Sequence, residues 1–232
     1  MRVLCLIFAL LACTAHAQIT QVAYDDLNQI LSGKITFETL PQKPEPGFNL
    51  NAPIRSDGAW LGAYFAGQTL VQSLAGNGTP HDTLGHPFAH RPLSIKADEN
   101  GENLSVAFHR GFRSNAVLPL GPLGFENISG RGEGALAILF DTNQFAAGFR
   151  VHTSYETPLG TAQKRGTITA TFFSRQGVPL ASMTLTPDQG ISDFGFRILP
   201  GSRPFAGILI SNSDPGGIAI DDIVFQIEHM LF

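Results

Sequence analysis

A glutamate near one end of the chain and an aspartate doublet near the other are the residues best placed to do chemistry together. Glu38 closes the alternating run 34–38, and Asp221 and Asp222 interrupt the apolar run 218–227. A carboxylate inside an apolar strand is costly unless it is paired or holds a metal. Successive side chains of a strand point to opposite faces, so two adjacent aspartates cannot share one face. First and last strands of a sandwich are often neighbours, and Glu38 would then meet Asp221 or Asp222. Hard carboxylate oxygens together with backbone carbonyls suit Ca2+. The plain alternative is a set of solvated or hydrogen-bonded carboxylates at a strand end.

Other chemistry is less well supported. His81, His86 and His90 fall within ten residues, beside Asp82, with His109 further on. Their spacing is neither helical nor that of a strand, and Pro80 and Pro87 exclude a regular helix. They read as loop histidines. Asp141 opens a turn, where Asp commonly bonds its own backbone. Glu133, between two glycines and beside Arg131, reads as part of a tight turn. No Gly-x-Ser-x-Gly appears, and both cysteines, Cys5 and Cys13, lie at the extreme N-terminus. Glu99, Glu102, Glu126 and Glu156 sit in loop-like contexts without a pairing pattern for glycoside hydrolysis. Sugar recognition needs exposed flat aromatics near planar polar groups. Trp60, Tyr64 and Tyr155 are the candidates.

The elements that must carry these residues are β-strands. The chain has 25 Gly and 15 Pro at short intervals, and 18 Phe against 3 Tyr and 1 Trp, which points to short strands around a phenylalanine-rich core. Strands are expected at 34–38, in two runs within 59–71, and at 93–96, 104–109, 134–140, 146–152, 166–174, 178–185, 194–199, 205–212 and 218–227. Residues 76–92 and 115–134 read as long loops. One helix is expected over 24–31, where Tyr24, Leu27 and Leu31 share a face and Gly33 ends it. The fold expected is an all-β, two-sheet jelly-roll sandwich with one short N-terminal helix.

Charge and targeting bound the function. The formal net charge is −4 with no basic run, which argues against nucleic acid and anionic membrane surfaces. Arg2, an apolar run over 3–12 and Ala15-His16-Ala17 form a secretory signal with cleavage after Ala17. That run is too short to span a membrane. A lipoprotein bearing lipid on Cys13 is the less favoured reading, because Leu11 fits that motif poorly. The expected organisation is a signal peptide over 1–17, an N-terminal segment over 18–33 and the sandwich over 34–232, secreted or periplasmic.

Phe37-Glu38 near the start and Ile220-Asp221-Asp222-Ile223 near the end resemble jelly-roll carbohydrate-binding modules and MAM-type adhesion domains. That resemblance implies a structural calcium held by Glu38 and one of Asp221 and Asp222. Gly132-Glu133-Gly134-Ala135, Leu139-Phe140-Asp141, Gly148-Phe149-Arg150 and the stretch Phe172-Phe173-Ser174-Arg175-Gln176-Gly177 resemble a group of uncharacterised exported bacterial proteins. Phe194-Gly195-Phe196 and the run from Ser213-Asp214-Pro215 to Asp221-Asp222 extend that likeness. Many of the group end in a C-terminal sorting signal, often of the PEP type, and none precedes Phe232 here.

The leading expectation is a secreted, non-catalytic, calcium-stabilised module that binds glycan or an extracellular polymer. The rivals are an adhesive matrix protein and a hydrolase using loop carboxylates or histidines.

Overall fold

The computed structural model describes residues 19–74, 78, 80–89, 91–97, 104–153 and 166–227. The signal segment with Cys13, and Tyr155, Glu99, Glu102, Glu156 and His90, lie outside them. The elements run β1 (Ile19–Val22), α1 (Tyr24–Ile30), β2 (Gly33–Ile35), β3 (Phe48–Leu50), β4 (Ile54–Ser56), β5 (Ala59–Gly62), β6 (Leu70–Leu74) and β7 (Pro80–Leu84). They continue with β8 (Leu104–His109), β9 (Ser114–Pro119), β10 (Leu136–Gln144), β11 (Ala146–His152), β12 (Ile168–Phe173), β13 (Pro179–Leu185), β14 (Ile191–Ile198), β15 (Phe205–Asn212) and β16 (Ala219–Phe225).

The strands form a two-sheet jelly-roll sandwich. The larger sheet has the order β1-β14-β11-β16-β9-β8-β3, with β2 also on β16. The smaller is β13-β12-β15-β10-β5-β4, and β6-β7 is a separate hairpin. Alternation sends Phe149, Phe194, Phe196, Ile220 and Phe225 of the larger sheet against Phe140, Phe172, Phe205 and Ile208 of the smaller. Phe172 meets Phe196 and Phe205 edge-on, each at 5.1 Å between ring centres. Such contacts add about 0.5–1.5 kcal/mol each beyond the area they bury.

Both outer faces are partly covered. Helix α1 lies on the larger sheet, where Tyr24 and Leu27 pack on Ala146 and Val224. A side chain at Gly148 would lie 2.9 Å from the Tyr24 ring, so a glycine there is what lets the helix sit down. On the smaller sheet, Ala137, Phe173 and Leu209 alternate with inward residues and pack outward against Phe65 and Leu93. The segment between β5 and β8 is thus a cover with its own small core.

Several expectations need correction. Residues 93–96 form no strand; only an isolated bridge joins Ile95 to Phe65. The stretch read as a long loop over 76–92 carries β7, which begins at Pro80 and, among the described strands, pairs with β6 alone. A strand bonded on one side tolerates proline at its first position. The second supposed loop carries β9, a buried strand between β8 and β16. The strand expected to open the sandwich, β2, does lie beside the last one, with Ile35 opposite Ile223, but β1 precedes it in the same sheet and pairs with β14.

Candidate functional site

The aspartate doublet sits where β16 bulges. The pairing of β11 with β16 shifts between Gly148 and Arg150, and Asp222 has a positive φ of 51°. A bulge re-aims neighbouring side chains. Asp221 is 1% exposed. Its two oxygens accept from Ser114 Oγ at 2.6 Å and from the Asp222 N–H at 2.7 Å. Asp222 turns to Lys34 Nζ at 2.9 Å and Arg150 Nη1 at 3.1 Å. Arg150 also donates through Nε to Asp193 at 2.8 Å. Asp193, Arg150 and Asp221 thus share a row across β14, β11 and β16, and the Ser114 side chain ties that row to β9, where Ser114 stands opposite His109 of β8.

Glu38 lies just beyond β2, where Phe37 also takes a left-handed φ of 58°. Its carboxylate accepts from the Asn115 N–H at 2.6 Å, next to the Ser114 that binds Asp221. Burial pushes the Asp221 carboxyl up to about 7, and the charges of Asp222 and Glu38 add to that against its two hydrogen bonds. Asp222 is neutralised by two cations and has little to offer a metal. Asp221 and Glu38 bring two acids together without a cation on Asp221, a balance that a hard cation would relieve. Among the described residues no group of three or more His, Cys, Asp or Glu converges as a metal-binding set.

Next to this row lies a chain of polar groups that sequence reasoning missed. The strap over residues 41–47 crosses β8, with Phe108 N–H donating to the Lys43 carbonyl and Ser105 Oγ–H to the Pro46 carbonyl. It delivers Glu45 onto His109 Nδ1 at 2.9 Å. His109 Nε2 faces His152 Nδ1 at 3.0 Å. The hydrogen bond from His109 holds the Glu45 carboxyl below its ordinary range. Burial, with the His109 charge adding, pushes His152 down to about 4, so its imidazole is neutral at pH 7. The visible signal was period-two polarity in β11, where Arg150 and His152 alternate with apolar residues. His81 and His86 stand elsewhere, on β7 and in the cover.

Glu133 is in a turn, as expected, but its side chain is 2% exposed. Burial, with the Asp214 charge adding, pushes its carboxyl up to about 8. One of its oxygens has no partner. A neutral carboxyl near pH 7 is the property of a general acid, but a group this buried does not reach a substrate.

The outer face of the smaller sheet is built differently. Register aligns Leu139 of β10, Trp60 of β5 and Arg55 of β4 in one row. Trp60 is 38% exposed. The Arg55 guanidinium lies 5.0 Å from the Trp60 ring centre. That guanidinium is held by a bidentate pair to Asp141, at 2.7 and 2.6 Å. Arg175 donates to the Phe140 carbonyl and to Asn143 Oδ1 beside it. An aromatic plane is thus framed by planar polar groups at the rim where the cover ends. Tyr64 follows β5 into the cover, half-buried, its carbonyl accepting from the Lys96 N–H.

No family model and no curated protein matches the chain. Solved structures of family 29 carbohydrate-binding modules align with it. A mutant complexed with mannohexaose is 13% identical over 68% of this chain and 91% of that one, with a TM-score of 0.32. A mutant complexed with cellulohexaose is 13% identical over 68% and 90%, also at 0.32. Another family 29 module is 11% identical over 74% and 89%, at 0.29. Similarity of this extent carries no inference about a ligand of this chain, which has to come from its own residues. No helix among the described residues is long and apolar enough to cross a membrane.

Proposed function

We propose that this protein is an exported, non-catalytic recognition module that binds glycan chains of an extracellular polymer at the Trp60 platform. The observation that carries this reading is Trp60 itself, exposed on the sheet with the Arg55 guanidinium on its ring and Asp141 holding that guanidinium. Apolar faces of sugar rings stack on such a plane, and the flanking amides, carboxylate and guanidinium groups match ring hydroxyls. Because Asp141 fixes Arg55 against the ring, the platform is organised before a ligand arrives, which lowers the cost of binding. The signal segment over 1–17 supports export.

In the same reading Ca2+ bridges Glu38 and Asp221, while Asp222, held by Lys34 and Arg150, keeps the bulge that presents Asp221. The ion would supply charge compensation and tie β2 to β16. The test is a glycan array on the mature protein, with and without chelator, alongside Trp60→Ala. Retention of an oligosaccharide class that is lost in Trp60→Ala is expected. Retention that Trp60→Ala leaves unchanged, or no retention at all, removes the platform from consideration. Chelator should lower the melting temperature of the wild type; an unchanged curve removes the calcium.

A further inference from the structure

We propose that His109 and His152 form a binding site for a first-row transition-metal ion, with Glu45 as its outer carboxylate. The site is independent of the glycan reading and of the carboxylates on β16.

Strands β8 and β11 are not neighbours in the sheet, because β9 and β16 lie between them. Their imidazoles nevertheless meet. What lies in the sheet between them is small: Ala107, Ala116 and Ala219 are buried together with Leu118, under Phe112. The facing nitrogens are 3.0 Å apart. Metal–imidazole bonds of about 2.0–2.1 Å at right to tetrahedral angles place two neighbouring ligand nitrogens about 2.9–3.4 Å apart. The observed spacing falls within that span.

The tautomer is set from outside. With His109 neutral, its Nδ1–H donates to Glu45 and the Nε2 lone pair is left on the side of His152. Histidines that ligate metals almost always present their other N–H to such an acceptor. Glu45 is itself positioned by the strap bonds to Ser105 and Phe108. Both rings are clamped: Phe112 packs on His109 and His152 with ring centres 5.7 and 6.0 Å away. Gly111 closes on the His152 ring, where an added Cβ would come within 2.5 Å. Without an ion, one proton bridges the pair. When an ion enters, His152 carries its proton on Nε2, Nδ1 becomes a ligand, and no net proton is lost.

Imidazole nitrogens suit zinc, copper and nickel rather than calcium. No third protein ligand of the usual types joins them among the described residues. Water completes the shell, and the ion pins the end of β11 to β8 and the strap.

The experiment uses the mature protein, stripped with chelator and titrated calorimetrically with Cu2+ and Zn2+. One ion per chain is expected, unaffected by millimolar Ca2+. His109→Ala and His152→Ala each lose that equivalent while keeping the wild-type β-sheet circular dichroism. Glu45→Gln should weaken it about 10- to 100-fold. Electron paramagnetic resonance of the wild type with one Cu2+ should show coupling to two imidazole nitrogens, a readout that needs no variant. Absence of stoichiometric binding, a spectrum without two coupled nitrogens, or binding that survives in both alanine variants overturns the site.

Discussion

The two outer faces of the sandwich use polar side chains in opposite ways. On the larger sheet, Asp221 is buried and tied to Ser114, and Arg150 spans Asp193 and Asp222 across three strands. On the smaller sheet, Arg55 and Asp141 are exposed and frame an aromatic ring. The first arrangement joins strands distant in sequence, from β2 to β16. The second joins only β4, β5 and β10, which already share a ladder. On the larger sheet one buried carboxylate, Asp221, sits beside a partly exposed network that cross-links separate elements. On the smaller sheet the Arg55–Asp141 pair joins strands of one ladder and remains in water. Substitutions should therefore separate stability from binding cleanly between the faces.

The largest effect is expected at Asp221. Asp221→Ala strips partners from Ser114 Oγ and from the Asp222 N–H in a buried site. Unpaired buried polar groups cost about 1–3 kcal/mol each, so a loss of about 3 kcal/mol is expected in urea unfolding with chelator present. A midpoint unchanged from wild type would break the claim that this row is structural.

Glu133 lies on neither face and serves as a control: a buried carboxyl with an orphaned oxygen. Unfolded, it releases its proton near 4.5, whereas the folded state keeps it to about 8. Between those values the unfolded chain binds fewer protons, so its contribution to stability is complete below 4.5 and is lost as pH rises toward 8. Glu133→Gln should flatten this slope, raising stability on the order of 2 kcal/mol at pH 8 and leaving it nearly unchanged at pH 4. A wild-type stability that does not fall across that window, or a slope that persists in the variant, would show that Glu133 is solvated.

The row around Asp221 was largely legible in the sequence, and the platform around Trp60 only in part. Acids in an apolar strand announce themselves, and the pairing of chain ends placed Glu38 near Asp221. The bulge that turns Asp222 to Lys34 and Arg150 has no local signature, because it is set by the register of β11 against β16. Trp60 was visible as a lone tryptophan, but Arg55 and Asp141 are 86 residues apart and meet only through the β4-β5-β10 ladder. Strands β8, β11 and β15 were read with their observed bounds from clear alternation. Strands β7 and β9 were hidden because Pro80, and the glycines after Pro119, read as turn chemistry. The strap that carries Glu45 to His109 has three prolines and no periodicity, and only its tertiary bonds give it a role.

On the exposed face the effect moves from stability to affinity. Trp60→Ala should reduce retention of the bound glycan at least tenfold, which corresponds to about 1.4 kcal/mol. Unfolding should shift by about 1–2 kcal/mol, less than for Asp221→Ala, since more than a third of the residue is already in water. The comparison fails if the variant unfolds as readily as Asp221→Ala, because the ring would then belong to the core.

The smallest effect should come from Arg55→Ala. Its pair with Asp141 is exposed on both sides, with side-chain exposures of 46% and 39%. Such pairs contribute about 0.2–1 kcal/mol and weaken with added salt. Folding should hardly change. What the guanidinium does in this reading is hold the Trp60 plane, so its loss should cost a few-fold in glycan affinity, mostly through faster dissociation. Asp141→Asn should produce a similar loss by releasing the guanidinium. If affinity measured by calorimetry falls in Arg55→Ala but not in Asp141→Asn, Arg55 touches the ligand directly, and the bidentate pair only shares the surface.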